Sequence, residues 1–314
     1  VVSYIPRGYS IEVLDKSSSE DQQIERVKDA DFLLCYGLDP SDEVMRAATK
    51  CRLVQLLAAG YDRMNLSLLK ELGIPCSNNG GANSWAVADH AVLLMLTIYK
   101  QLVASNEATR EGRWNEPITG QNTFEMSGKI VGILGIGNIG KQVAKRVQGF
   151  DAKVQYYDIH PVDEETNELL DLTSVSLDEI FGTSDIVSCH TPLTRETYHM
   201  VNAERLASMK PSAILINTSR GSVVDELALI DVLQKKTILA AGLDVFEQEP
   251  VDPDNPLLRM DNVITTPHMA GTTWDTWERR AQFGFNNIAR VGKGESPKAI
   301  VRDFGAECLE LEVS

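Results

Sequence analysis

Cysteine is scarce in this 314-residue chain, with only five present. Cys35, Cys51, Cys76, Cys189 and Cys308 are odd in number and never stand as CxxC, which excludes a disulfide framework and gives zinc no ligand cluster. No metal is called for, and a reducing, cytoplasmic setting is expected. Positive charge is also short. Lys and Arg number 30 against 45 Asp and Glu, and the resulting net charge of −15 repels phosphate backbones and anionic lipid surfaces. Nucleic acid and membrane are therefore excluded as default partners, and an anionic small substrate would need a local cation working against that field. The chain has no uncharged apolar run of about 20 residues. Its most apolar stretch, Trp85 to Ala104, is interrupted by Asp89, His90 and Lys100 and reads as a buried helix. The opening Val1-Val2-Ser3-Tyr4 has no basic segment leading into a long apolar one, so export is not expected. Fixed-period repeats and low-complexity tracts are missing too.

What is present is an ordinary globular mixture, 43 % hydrophobic and 24 % charged, with length for about two domains of ~150 residues. Short apolar runs alternate with helical patterns. Strands are predicted at Ile11–Leu14, Phe32–Tyr36, Leu53–Leu57, Lys129–Leu134, Val154–Tyr157, Ile186–Cys189, Ala213–Asn217, Ile238–Leu243 and Val263–Thr265. Helices are predicted at Glu20–Asp29, Ser41–Lys50, from an N-cap at Ser84, and at Asn138–Gly149, Ser176–Phe181, Asp225–Gln234 and Thr272–Val291. Alternation of this kind implies an α/β fold with parallel sheets covered by helices on both faces, and with this length two Rossmann-like or flavodoxin-like domains are expected. Residues 1–99 with 285–314 are expected to form one, discontinuous, domain and 100–284 the other. The polar stretch Glu111–Gly128, with Gly112, Pro117 and Gly120, reads as an excursion between domains or towards a second subunit.

Gly135-Ile136-Gly137-Asn138-Ile139-Gly140 lies between the run Ile130–Leu134 and a helical pattern, the context in which GxGxxG binds a dinucleotide. Gly135 permits the tight turn, Gly137 removes a side chain from the path of the pyrophosphate, and Gly140 lets helix and strand pack closely. The N–H groups of Asn138 and Ile139 open the helix and face the anion. At the end of the next strand Asp158 is placed to accept the ribose hydroxyls, and its charge repels a 2′-phosphate, favouring NAD over NADP.

Three later strand ends carry chemistry. Asn217-Thr218-Ser219-Arg220-Gly221 puts a guanidinium, suited to bidentate capture of a carboxylate, at the carboxyl edge of a sheet. Gly242-Leu243-Asp244-Val245-Phe246-Glu247-Gln248-Glu249-Pro250 and Pro267-His268-Met269-Ala270-Gly271 follow two more. A base, an electrophile and a bound nicotinamide are what hydride transfer between an alcohol and a ketone requires, and His268, Arg220 and the glycine turn supply them.

With Ala59-Gly60-Tyr61-Asp62, Gly81-Ala82-Asn83, Arg110-Glu111-Gly112-Arg113-Trp114 and His190-Thr191-Pro192-Leu193-Thr194, these motifs resemble the D-isomer-specific 2-hydroxyacid dehydrogenase family over essentially the whole chain. The resemblance implies NAD-dependent interconversion of a D-2-hydroxy acid and its 2-oxo acid. By it Arg220 holds the substrate carboxylate, His268 is the acid/base, and Glu249 pairs with and orients the histidine, Glu247 being a solvated neighbour. Asp244, Thr191, Pro192 and Thr218 fall to the cofactor, and the main-chain amides of Ala59 and Gly60 to the substrate, which by the resemblance lies in a cleft between the two domains. It also implies a homodimer, built through the helix from Ser84 and the excursion around Trp114. Glu249 stands where formate-specific members carry Gln, which disfavours formate, and the short tail leaves no appended regulatory domain expected. Phosphite oxidation, by a similar Arg, Glu and His set, and an NAD-binding corepressor-like module are the rival readings.

Overall fold

A computed structural model describes residues 2–301 apart from Lys16, Leu38, residues 115–119 and Gln121. Pro117 in the predicted excursion and Cys308 in the tail lie outside the described residues. The chain divides into two units, Val1–Asn83 with Thr272–Ser314, and Ser84–Gly271.

In the first unit three short parallel strands, β1 (Leu33–Cys35), β2 (Val54–Leu56) and β3 (Cys76–Ser77), lie in the order β1-β2-β3. Val27, Val44, Met45, Leu68 and Leu69 from the helices Glu20–Val27, Asp42–Ala47 and Leu66–Glu71 form a core with Val54 and Leu56. Leu53 packs instead with Ala281, Phe285, Ile288 and Val291 of the closing helix Trp274–Gly292. That helix is fastened to the sheet by a buried polar pair: Asn287 Nδ2 donates to Gln55 Oε1 at 2.9 Å, while Gln55 Nε2 donates to the carbonyls of Leu56 and Asn78. Both amides are thus satisfied, as burial demands. The strand expected at Ile11–Leu14 does not form. Ile11 and Val13 are 39 % and 74 % exposed, so the alternation there has no core to face and no neighbouring strand to pair with.

The second unit carries seven parallel strands: β4 (Ile130–Leu134), β5 (Lys153–Tyr157), β6 (Leu172–Ser174), β7 (Ile186–Cys189), β8 (Ile214–Asn217), β9 (Ala240–Leu243) and β10 (Val263–Thr265). Their order, β10-β9-β8-β7-β4-β5-β6, runs outward from β4 on one side and restarts at β7 on the other. The switch between β4 and β7 is where ligands bind in sheets of this kind, at the carboxyl ends of the strands. One face is covered by the helices Ser84–Tyr99 and Asn138–Gln148, with Ala88, Ala91, Met95, Val143 and Val147 against Ile133, Ile214 and Ile216. The other is covered by Leu177–Thr183, Ala203–Ser208 and Glu226–Gln234.

The domain boundaries differ from those expected. Helix Ser84–Tyr99 belongs wholly to the second unit, because Leu94 and Ile98 pack directly on Gly242 of β9, and the closing helix belongs wholly to the first. Ser84 is the first residue of its helix rather than a cap outside it. The apolar stretch is also broken: Gln101 takes a left-handed φ of 47°, and the next helix, Leu102–Arg110, bends away by 60°. Among the described residues no single helix is long and apolar enough to cross a membrane.

Candidate active site

The glycine turn leaves β4 at the switch point. Gly135 has φ +90°, and a Cβ there would lie 2.9 Å from the His190 carbonyl, so only glycine fits between the ends of β4 and β7. A Cβ on Gly140 would stand 2.2 Å from the Gly135 carbonyl oxygen, whereas one on Gly137 would meet nothing within 4 Å. Gly137 caps the helix without a side chain, leaving the N–H groups of its first turn, at Asn138 and Ile139, for an anion. Asp158, beyond β5, accepts the Ile136 N–H at 2.8 Å and the His160 N–H at 2.9 Å, one on each oxygen, which aims the carboxylate along the turn and leaves lone pairs for hydroxyl donors. Beyond β7 and β8, Thr191 Oγ1 and Thr218 Oγ1 are buried without a hydrogen-bond partner among the described residues. Two orphaned hydroxyls at this edge, an open Gly137 and a free helix start fit a bound dinucleotide. Pro192 stands beside them in the same turn, its carbonyl accepting from Thr197.

Arg220, Glu249 and His268 follow β8, β9 and β10, neighbours in the sheet. His268 Nδ1 and Glu249 Oε2 are 2.6 Å apart, and Glu249 Oε1 accepts the Phe246 N–H at 3.1 Å. Burial works against the ionised form of Glu249, but the hydrogen bond and charge of His268, the Phe246 N–H and the Arg220 charge together hold its carboxyl below the usual range. Arg220 Nη1 donates to the Ser219 carbonyl at 2.6 Å, and Gly221 lies so close to the Phe246–Glu247 backbone that a Cβ would fall 1.9 Å from it. The Arg220 turn is thereby locked to the loop that carries Glu249. Glu247 turns the other way, pairing with His199 at 2.7 Å and accepting the Glu226 N–H.

Asp244, 1 % exposed, is the hub of the histidine turn. Its main-chain oxygen accepts from His268 N at 2.7 Å, and its carboxylate oxygens accept from Met269 N and Ala270 N at 2.9 Å each. His268 itself has φ +49°, a conformation that a residue with a side chain keeps only when its surroundings impose it. His190 follows β7, with Nε2 2.8 Å from Ser188 Oγ. His90, which the sequence marks only as an interruption of an apolar helix, reaches Thr266 beside the same turn. A polar residue on the buried side of a helix was the available signal.

Ala59 and Gly60 stand in the first unit, in the turn after β2, where Asn78 Nδ2 holds the Ala59 carbonyl. In that unit Tyr36, after β1, meets Trp277 edge-on at 4.7 Å, and Arg280 lies over both rings. Trp274 is 91 % exposed.

Residues 92–270 match the family model described as the D-isomer specific 2-hydroxyacid dehydrogenase, NAD binding domain. The chain is 39 % identical over 304 residues to a glyoxylate reductase of Thermofilum pendens, covering 95 % of this chain and 89 % of that protein. It is 41 % identical over 282 residues to a glyoxylate reductase of Korarchaeum cryptofilum, covering 88 % and 84 %. Among solved structures, the D-mandelate dehydrogenase of Rhodotorula graminis in its apo form is similar with a TM-score of 0.82 and 27 % identity, over 92 % of this chain and 90 % of that one.

Proposed function

The chain belongs to the D-isomer-specific 2-hydroxyacid dehydrogenases, NAD-dependent enzymes, and from that premise we propose that it reduces a small 2-oxo acid, glyoxylate first among them, with Arg220, Glu249 and His268 as its chemical set. The observation that carries this reading is the 2.6 Å contact of His268 Nδ1 with Glu249, one strand end away from Arg220. With Nδ1 engaged, Nε2 is the ring nitrogen left to serve a substrate oxygen. Arg220 takes the substrate carboxylate in its planar fork and polarises the adjacent carbonyl, a local cation in a chain of net charge −15. His268 Nε2 gives its proton to the carbonyl oxygen as the carbon is reduced, and takes it back from the hydroxyl in the reverse direction. Glu249, held ionised, balances the imidazolium before that transfer and fixes the ring. Bound NADH supplies the hydride. The turn at Gly135–Gly140 would hold its pyrophosphate and Asp158 its ribose, with Thr191, Pro192, Thr218 and Asp244 the further residues proposed for it. The names of the two relatives support glyoxylate; the size of the substrate is otherwise open to larger 2-oxo acids.

Exposed Trp85, Leu93, Leu102, Val103 and Trp114, each at least 45 % accessible, support the reading of a homodimer built through the helix from Ser84 and the excursion around Trp114. The unbridged Cys35, Cys51, Cys76 and Cys189 support a reducing, cytoplasmic setting. Purified protein mixed with NADH and, in turn, glyoxylate, hydroxypyruvate, pyruvate and larger 2-oxo acids is expected to consume NADH fastest with the small acids. Loss of NADH with none of them overturns the proposal, and a mass of 34.6 kDa by light scattering at micromolar concentration overturns the dimer.

A further inference from the structure

His90 sits in helix Ser84–Tyr99 with its side chain 11 % exposed. Its Nε2 is 2.9 Å from Thr266 Oγ1, and Thr266 Oγ1 is 2.6 Å from Asp244 Oδ1. Proton counting gives these contacts a direction. The Asp244 carboxylate is surrounded by donors, the Met269 and Ala270 N–H groups among them, and has no proton to give. Thr266 has one hydroxyl proton and gives it to Asp244. The Thr266 oxygen can then only accept from His90, which makes His90 an Nε2–H donor.

We propose that His90 is a positioning residue for the acid/base histidine, acting through a one-way chain from His90 Nε2–H to Thr266 Oγ1 to Asp244 Oδ1. The inference rests on the reading of His268 given above. Each member stands on a different element: a helix, the end of β10 and the end of β9. Asp244 in turn holds the N–H groups of three consecutive residues, His268, Met269 and Ala270. Rotation of its carboxylate would release Met269 and Ala270 together, leave the turn held only by the His268 N–H on main-chain oxygens, and let the ring move away from Glu249. Thr266 alone cannot prevent this, because its hydroxyl is free to turn unless a donor occupies its lone pair. His90 is that donor. A side chain whose only task was to fill space beneath the turn would need no direction at Nε2.

The test uses the intact protein labelled with 15N-histidine. A multiple-bond proton–nitrogen correlation spectrum at neutral pH, with His90 assigned by its loss in His90→Gln, is expected to show Nε2 protonated; a bare Nε2 overturns the chain. His90→Phe keeps the ring volume and removes the donor, whereas His90→Gln keeps an N–H near the position of Nε2 in a smaller side chain. With glyoxylate and NADH, kcat is expected to fall at least about tenfold in His90→Phe, with KM for both substrates within about twofold, and to recover most of that loss in His90→Gln, since displacement of a reacting group by about 1 Å costs up to ~10²-fold. Filling of space predicts the opposite order, and a Phe variant as active as the Gln variant overturns the proposal. Should the wild type reduce no 2-oxo acid, the proposed function fails separately. The His268 ring signals then decide, since they are expected to shift in His90→Phe and not in His90→Gln, and unchanged signals in both overturn the positioning role.

Discussion

Acid should destabilise this protein through a histidine outside the proposed chemistry. His190 closes the glycine turn with its carbonyl, and its ring hydrogen-bonds through Nε2 to Ser188, while Nδ1 is buried with no partner among the described residues. A proton on that ring would bring an unpaired N–H and a charge into the interior, and burial pushes the pKa from 6.5 down to about 3. The unfolded chain therefore takes up a proton below about pH 6.5, while the native state resists until about pH 3. Stability attached to this group is full at pH 7 and is lost as pH falls through that window. At about 1.4 kcal/mol per pH unit, the loss between pH 7 and pH 5 comes to about 2 kcal/mol. Urea unfolding of the wild type and of His190→Gln, each at pH 7 and pH 5 without added nucleotide, isolates it. Other titrating groups contribute alike to both proteins and cancel in the difference. The wild type is expected to lose about 2 kcal/mol more than the variant on acidification. Equal losses would show that protonation of His190 does not drive the acid sensitivity.

At Gly140 a methyl group would meet backbone rather than a yielding side chain, so Gly140→Ala should weaken NADH binding about five- to 150-fold by fluorescence titration, through the ~1–3 kcal/mol typical of overpacking. Asp158→Ser should narrow the preference for NADH over NADPH in steady-state kinetics, and a wild type that already favours NADPH would contradict the role given to that carboxylate. Arg220→Lys should lower kcat/KM for the 2-oxo acid by about 10–100-fold while leaving the Kd of NADH within about twofold, because a point charge cannot replace the fork.

The strands that present these groups were legible because a parallel strand buried on both faces is a short apolar run stopped by Gly, Pro or Asn. Ile130–Leu134, Ile214–Asn217 and Val263–Thr265 form within a residue of their expected bounds. Glu164–Leu169 was not legible, because this helix buries no residue and is announced only by Asp163 at its cap. The two-residue β3 is too short to show a period. The division between units escaped for a related reason: a helix apolar nearly all round does not disclose which sheet it covers. Within the site, Arg220, Glu249 and His268 stand out because each closes a recognisable run. Asp244 was legible as a strand-end carboxylate, but its grip on the histidine turn was not. His90 and Thr266 lie 176 residues apart, and no local pattern links them.

In the proposed function His268 moves the proton in ketone reduction. Single-turnover oxidation of bound NADH by glyoxylate in His268→Ala, followed beside a fluorescence titration of NADH, tests it directly. The rate is expected to be lower by about 10²–10⁴-fold with the Kd of NADH unchanged. A rate within about threefold of the wild type at full NADH occupancy would contradict it.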